Sequence, residues 1–176
     1  MIRPPTDEPA ITTWLQEHRG IFVKIARAYA RGEAEIAELQ QEMVFQLWLS
    51  RRGFAGQAKS STWVYRVCLN TALTWRRGAQ RRERWIERGV ALEGTAAAGH
   101  SPAESAEQQE WLEKLYESLQ SLGETERALV LLMLDGLAYR EIAEVTGLTE
   151  NHVGVALTRA RRKLAEKMKG VTDELG

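Results

Sequence analysis

Apolar residues recur every three or four positions along most of this chain, and no stretch alternates in the manner of a half-buried strand. Trp14, Leu15, Ile21, Phe22, Ile25, Ala26 and Tyr29 form one helical stripe. Ile36, Leu39, Met43, Val44, Leu47 and Trp48 form a second, which stops before Arg51, Arg52 and Gly53. A third helix is predicted from about Ser61 to Arg77, with Val64, Val67, Cys68 and Ala72 toward a core; Gly53 to Lys59 connects the second helix to the third. Helices joined this way bury their stripes as a bundle.

Near the other end, Gly136 to Leu164 (GLAYREIAEVTGLTENHVGVALTRARRKL) has the residue types of a helix-turn-helix. Ala143 lets two helices approach, Gly147 suits a left-handed turn, and Val153 closes the second helix onto the first. Thr149 is placed to N-cap that second helix, with Glu150 in its first turn. Arg159, Arg161, Arg162 and Lys163 complement the opposite end of the macrodipole and supply positive charge for phosphates.

Charge sharpens this picture only when divided along the chain. The 176 residues sum to a net charge of zero, but Arg51 to Arg88 holds ten basic residues against Glu83 and Glu87, a local +8. Ala91 to Glu110 is the reverse, with four glutamates, no Lys or Arg, and an Ala/Gly/Ser-rich composition around Pro102. That segment is expected to be a flexible acidic linker at 89–110 between an N-terminal bundle at 1–88 and a C-terminal helix-turn-helix domain at 111–176, an all-α architecture of two small domains. Two basic regions separated by an acidic tether point to nucleic acid as a partner.

Other chemistries find little footing. The longest apolar run, Ala128 to Leu134, is too short to span a bilayer, and Met1 to Glu8 is polar and unlike a signal peptide, so a cytoplasmic protein is expected. Cys68 is the only cysteine, and His18, His100 and His152 lie in separate segments without partners at ligand or triad spacing. Neither an enzyme nor a metal or other cofactor is expected.

The third helix and its preceding loop interleave aromatics with cations: Phe54, Trp63, Tyr65 and Trp75 alternate with Lys59, Arg66, Arg76 and Arg77. This combination suits single-stranded bases that stack or flip while the backbone is held electrostatically, and Asn70 adds a donor and an acceptor. Trp63 fits a core position equally well, whereas Trp75, beside two arginines, is expected on the surface.

Three segments resemble the extracytoplasmic-function (ECF) sigma factors of bacterial RNA polymerase. AEIAELQQEMVFQLW, Ala34 to Trp48, is similar to the family's polymerase-binding helix. FAGQAKSSTWVYRVCLNTALTWRR, Phe54 to Arg77, is similar to its promoter-melting segment. LGETERALVLLMLDGLAYREIAEVTGLTENHVGVALTRARRKL, Leu122 to Leu164, is similar to its C-terminal helix-turn-helix domain.

The resemblance implies core RNA polymerase, through its clamp helices and flap, and promoter DNA as partners, with an anti-sigma factor as a further one. It implies that Glu38, Leu39, Gln41, Glu42 and Phe45 meet the clamp helices, although their spacing equally suits a solvated helix face. It implies that Phe54, Lys59, Trp63, Asn70, Trp75, Arg76 and Arg77 hold the opened minus-ten strand. The minus-thirty-five duplex would fall to Tyr139, Arg140, Asn151, His152, Val155, Thr158, Arg159, Arg162 and Lys163, with Arg159 toward a guanine and Arg162 and Lys163 toward phosphates. By the same resemblance the acidic linker threads toward the polymerase channels, a role for which a plain solvated tether is the alternative.

The chain departs from the family in HVGVAL, His152 to Leu157, which lacks the usual basic residue after the valine and places Gly154 inside the recognition helix. Glycine there costs about 1 kcal/mol relative to alanine, so either DNA approaches closely or the helix tolerates a weak point. Two other readings compete: a free-standing helix-turn-helix regulator, which leaves the basic aromatic segment unexplained, and a helical protein-interaction adaptor, which predicts no salt-dependent DNA binding.

Overall fold

The computed structural model describes residues 11–86 and 106–174, and every long regular element among them is an α-helix. The chain divides into two compact units, one made of the helices before the acidic segment apart from Arg27–Tyr29, and one made of the helices after it together with those three residues. That segment lies outside the described residues as far as position 105, and His100 and Pro102 lie outside with it; so do the first ten residues.

In the first unit, α1 (Ile11–Glu17) and α2 (Arg19–Tyr29) divide the stripe that the sequence suggests is continuous. The break is at His18, whose backbone leaves the helical region (φ −111°, ψ 17°) and whose Nε2 shares a 3.1 Å hydrogen bond with the Ser60 hydroxyl. The core survives the break, because Trp14, Ile21, Phe22 and Ile25 are all buried. α3 (Gly32–Ser50) starts with Glu33 and Glu35 in its first turn, where negative charge is favoured, and the Arg31 N–H donates to the Glu35 carboxylate at 2.6 Å. Leu39, Met43 and Leu47, one turn apart, are fully buried.

A single 3₁₀ turn at Arg51–Gly53 leads through the loop to α4 (Ser60–Ile86), which runs past the Arg77 boundary read from the sequence. α3 and α4 form the main helix pair of this unit. Val64, Cys68, Ala72 and Ala79 lie along their seam, and burial in it pushes the Cys68 thiol well above its ordinary pKa, as befits an inert small hydrophobe.

The second unit comprises α5 (Ala106–Gln120), α6 (Glu124–Leu134), α7 (Tyr139–Thr146) and α8 (Glu150–Glu174). α5 takes in the end of the stretch expected as linker, and the Lys114–Glu110 pair at 2.9 Å supports the helix there. Arg127 ties α6 to the end of α5: its guanidinium donates to the carbonyls of Leu119, Gln120 and Leu122 at 3.1, 2.6 and 3.1 Å, three acceptors that a helix terminus and its turn leave open. α6 and α7 begin alike, a glutamate three residues in reaching back to the N-cap N–H. Glu126 accepts from Gly123 at 3.4 Å and Glu141 from Ala138 at 3.0 Å.

The turn between α7 and α8 has the geometry its residues predict. Gly147 sits at φ +76° and its N–H closes on the Ala143 carbonyl at 2.8 Å. The Thr149 hydroxyl accepts from the His152 N–H at 3.3 Å, and Ile142 and Val145 of α7 and Val153, Leu157 and Ala160 of α8 are all buried in the core of this unit.

Candidate nucleic-acid and partner interfaces

α8 is anchored along one line. Val153, Leu157 and Ala160 are buried, while Asn151, His152, Val155, Thr158, Arg159 and Arg162 are exposed as a continuous stripe on the opposite side. All six sequence-predicted residues of this helix face are thus brought together. Lys163, at the edge of the stripe, is committed elsewhere: its ammonium donates to both carboxylate oxygens of Glu126, at 2.7 and 2.9 Å. That bond holds the Glu126 carboxyl below the usual carboxylate range against a smaller opposing effect of burial. Arg140 is exposed on α7 and pairs with Glu144 at 3.4 Å, one helical turn away.

Gly154 flanks the stripe on the α7 side. A Cβ placed there would rest 3.4 Å from the ring of Tyr139, at the near edge of ordinary van der Waals contact, so a tyrosine from the preceding helix packs directly over this glycine. The Thr158 hydroxyl donates to the Gly154 carbonyl at 2.9 Å, which leaves the threonine methyl as the exposed part of that side chain.

α4 presents a second stripe. Arg66, Asn70, Thr74, Arg77 and Arg81 are all exposed and recur at spacings of four, four, three and four residues, so they share one face. Lys59 is exposed in the loop just before the helix.

Four of the expected strand-binding residues are not available on this face. Trp75 is 9% exposed and Arg76 7%, so the surface position expected for Trp75 is wrong: the residue turns into the seam with Ala72 and Ala79. Phe54 lies edge-on to Trp14 at 5.0 Å and to Trp63 at 5.8 Å, an aromatic trio that fixes the α3–α4 loop and leaves Phe54 only partly exposed. Trp63 itself is half-buried with its indole N–H shut away and without a hydrogen-bond partner, the core alternative for that residue. Thr74 and Arg81 were missed by sequence reasoning, although counting turns from Asn70 would have found both.

On α3 the candidates divide the same way. Glu38, Gln41 and Phe45 are exposed and Glu42 is half-buried, its carboxylate accepting from the Gln46 amide at 2.8 Å. Leu39 is fully buried: it belongs to the helix's core line and offers no surface to a partner. The missing apolar contact is Trp48, which the stripe analysis assigned to the core and which is 45% exposed. It stacks on Phe45 at 6.4 Å, and the Arg51 guanidinium lies over its ring at 4.5 Å. With Ile11, Ala37, Gln41 and Val44, these two aromatics line an open groove of about 530 Å³. α3 therefore has two apolar lines, one spent on the core and one left outside.

Among the described residues no group of His, Cys, Asp and Glu is arranged to hold a metal ion, and no helix is long and apolar enough to cross a membrane.

These faces fall within two matched family models, Sigma-70 region 2 over residues 14–82 and Sigma-70, region 4 over residues 112–164. In sequence the chain is 30% identical over 198 aligned positions to "ECF RNA polymerase sigma factor SigG" from two strains of Mycobacterium tuberculosis, an alignment taking in 90% of this chain and 52% of that protein. The chain thus spans about half the length of the curated relatives it matches. In fold it is similar to the sigma factor RpoE of Bartonella quintana, solved with the anti-sigma factor NepR, with a TM-score of 0.65, 19% identity, and 90% of this chain and 98% of that one covered. It is also similar to CnrH, solved with the cytosolic domain of CnrY, with a TM-score of 0.64, 19% identity, and 93% and 90% covered.

Proposed function

We propose that this chain, which belongs to the ECF sigma-70 family, directs bacterial RNA polymerase to promoters and carries no catalytic step of its own. The observation that carries this reading is the pairing, in one chain and in family order, of two exposed stripes. The α4 face from Arg66 to Arg81 has the cations and the amide that an extruded single strand needs, and the α8 face from Asn151 to Arg162 has the shape of a recognition helix.

In this reading the Phe45–Trp48 groove on α3, flanked by Glu38 and Gln41, docks on the polymerase clamp helices, and a face of the C-terminal unit meets the flap. α8 enters the major groove of the minus-thirty-five duplex, with Arg159 on a guanine and Arg162 on phosphate. Asn70, Arg77 and Lys59 then hold the non-template strand of the minus-ten element. Unstacking costs a few kcal/mol, which binding of the extruded bases offsets. An anti-sigma protein covering these same faces would keep the chain from polymerase, and the site of action is the cytoplasm, where promoter DNA is.

Co-purification with core polymerase, followed by run-off transcription on a pool of promoter fragments from the source genome, tests the proposal. Tight association with new, specific transcripts is expected. Duplex binding without polymerase association would replace it with the free-standing regulator, and no binding to either with the adaptor.

A further inference from the structure

On the assumption that α8 reads the upstream duplex, we propose that Tyr139, seated on Gly154, is a specificity-determining residue that selects a thymine by its 5-methyl group. A recognition helix usually reads the centre of its site with long polar side chains, and the middle of this one lacks them. Gly154 has no side chain, Val155 is 46% exposed, and Thr158 has its hydroxyl turned back on the Gly154 carbonyl at 2.9 Å.

Into the space above Gly154 comes the Tyr139 ring, at 3.4 Å from where a Cβ would stand and still 40% exposed. The ring therefore fills the place a longer residue at 154 would claim. Ring, valine and threonine methyl make the centre of the stripe apolar, between the polar Asn151 at one end and Arg159 and Arg162 at the other. In the major groove the apolar feature of a base pair is the thymine methyl, which distinguishes T·A from every other pair by contact instead of by a hydrogen bond. The tyrosine comes from α7, so the base code of this chain is shared between both helices of the motif.

The test uses holoenzyme reconstituted with core polymerase, on a promoter recovered by run-off transcription. Each thymine of its upstream element is replaced in turn by deoxyuridine, which removes the methyl and keeps every hydrogen-bonding group. One such replacement should weaken promoter binding about fourfold, the worth of one buried methyl-sized group. Tyr139→Phe should keep that penalty. Tyr139→Ala and Gly154→Lys, the second displacing the ring while leaving the tyrosine in place, should abolish it. Arg159→Ala should bind less tightly throughout and still show it, and unchanged melting temperatures establish that the variants fold.

An upstream element without thymine, indifference of the wild type to every deoxyuridine, or a full penalty in Tyr139→Ala would overturn the assignment. So would a uniform loss in Tyr139→Phe that leaves the penalty intact in Tyr139→Ala, which would place the phenol on a phosphate. If Arg159→Ala leaves upstream binding untouched, the fault lies with the recognition-helix reading itself and not with Tyr139.

Discussion

α4 and α8 each carry a stripe of polar and basic side chains, and they are gripped very differently. On α8 the buried residues Val153, Leu157 and Ala160 occupy a narrow arc, about a sixth of the circumference at 3.6 residues per turn. On α4, Thr62, Val64, Tyr65, Cys68, Leu69, Thr71, Ala72, Trp75, Arg76 and Ala79 are all buried, an arc of about half the circumference. The width of that arc decides how much of a mixed aromatic and basic sequence is left for a partner. α8 keeps nearly all of its predicted contacts on the surface, whereas α4 draws Trp75 and Arg76 inward and keeps a stripe that runs through Asn70 and Arg77.

The largest effect expected to probe this contrast is on stability. Trp75→Ala should cost about 3–5 kcal/mol, read as a lowered urea midpoint by far-UV circular dichroism, while Arg77→Ala two residues away should change stability by less than about 0.5 kcal/mol. Equal, small effects would put Trp75 back on the surface and erase the difference between the two helices.

Next in size is polymerase binding. Phe45→Ala combined with Trp48→Ala should weaken association with core polymerase by about 2 kcal/mol or more, in the manner of exposed aromatic hot spots, with the unfolding midpoint unchanged. Leu39→Ala should do the opposite, losing stability by about 2–5 kcal/mol with affinity per folded molecule retained. A smaller effect separates two neighbouring cations of α8. Arg162→Ala should reduce the salt dependence of promoter binding by about one phosphate contact, and Lys163→Ala, whose ammonium is held by Glu126, should leave the slope unchanged.

The smallest is a pH effect. Lys163 holds the folded-state pKa of Glu126 below its unfolded value, so this carboxylate's contribution is present at neutral pH and is lost as pH falls through the folded pKa. For so exposed a pair it should amount to less than about 1 kcal/mol. Thermal melts in acid should show Glu126→Gln losing less stability than the wild type over that window.

What could be read from the sequence follows from where local rules suffice. The α7–α8 turn was legible residue by residue, because Gly147, Thr149 and Val153 each meet a need defined within a few positions of themselves. The helices of the first unit were legible as a bundle, but the break at His18 was not: its side chain bonds to Ser60, 42 positions away, a contact that periodicity does not register. Trp48 reads as core, and Leu39 as both core and partner contact, for a related reason: α3 is apolar along two lines, and periodicity alone does not say which line meets α4. Lys163 reads as a phosphate ligand until Glu126, in another helix, is brought to it. Gly154 stands out in the sequence as an anomaly, but the ring above it comes from α7, which only the packing of the two helices supplies.

The two stripes divide the labour, and measuring upstream-duplex binding and minus-ten strand opening on one promoter for Arg159→Ala and Asn70→Ala holoenzymes side by side separates their roles. Arg159→Ala should lose upstream binding by about 1–3 kcal/mol and open normally once bound, and Asn70→Ala should bind the upstream element normally and open poorly. Equal losses in both assays for both variants would contradict that division.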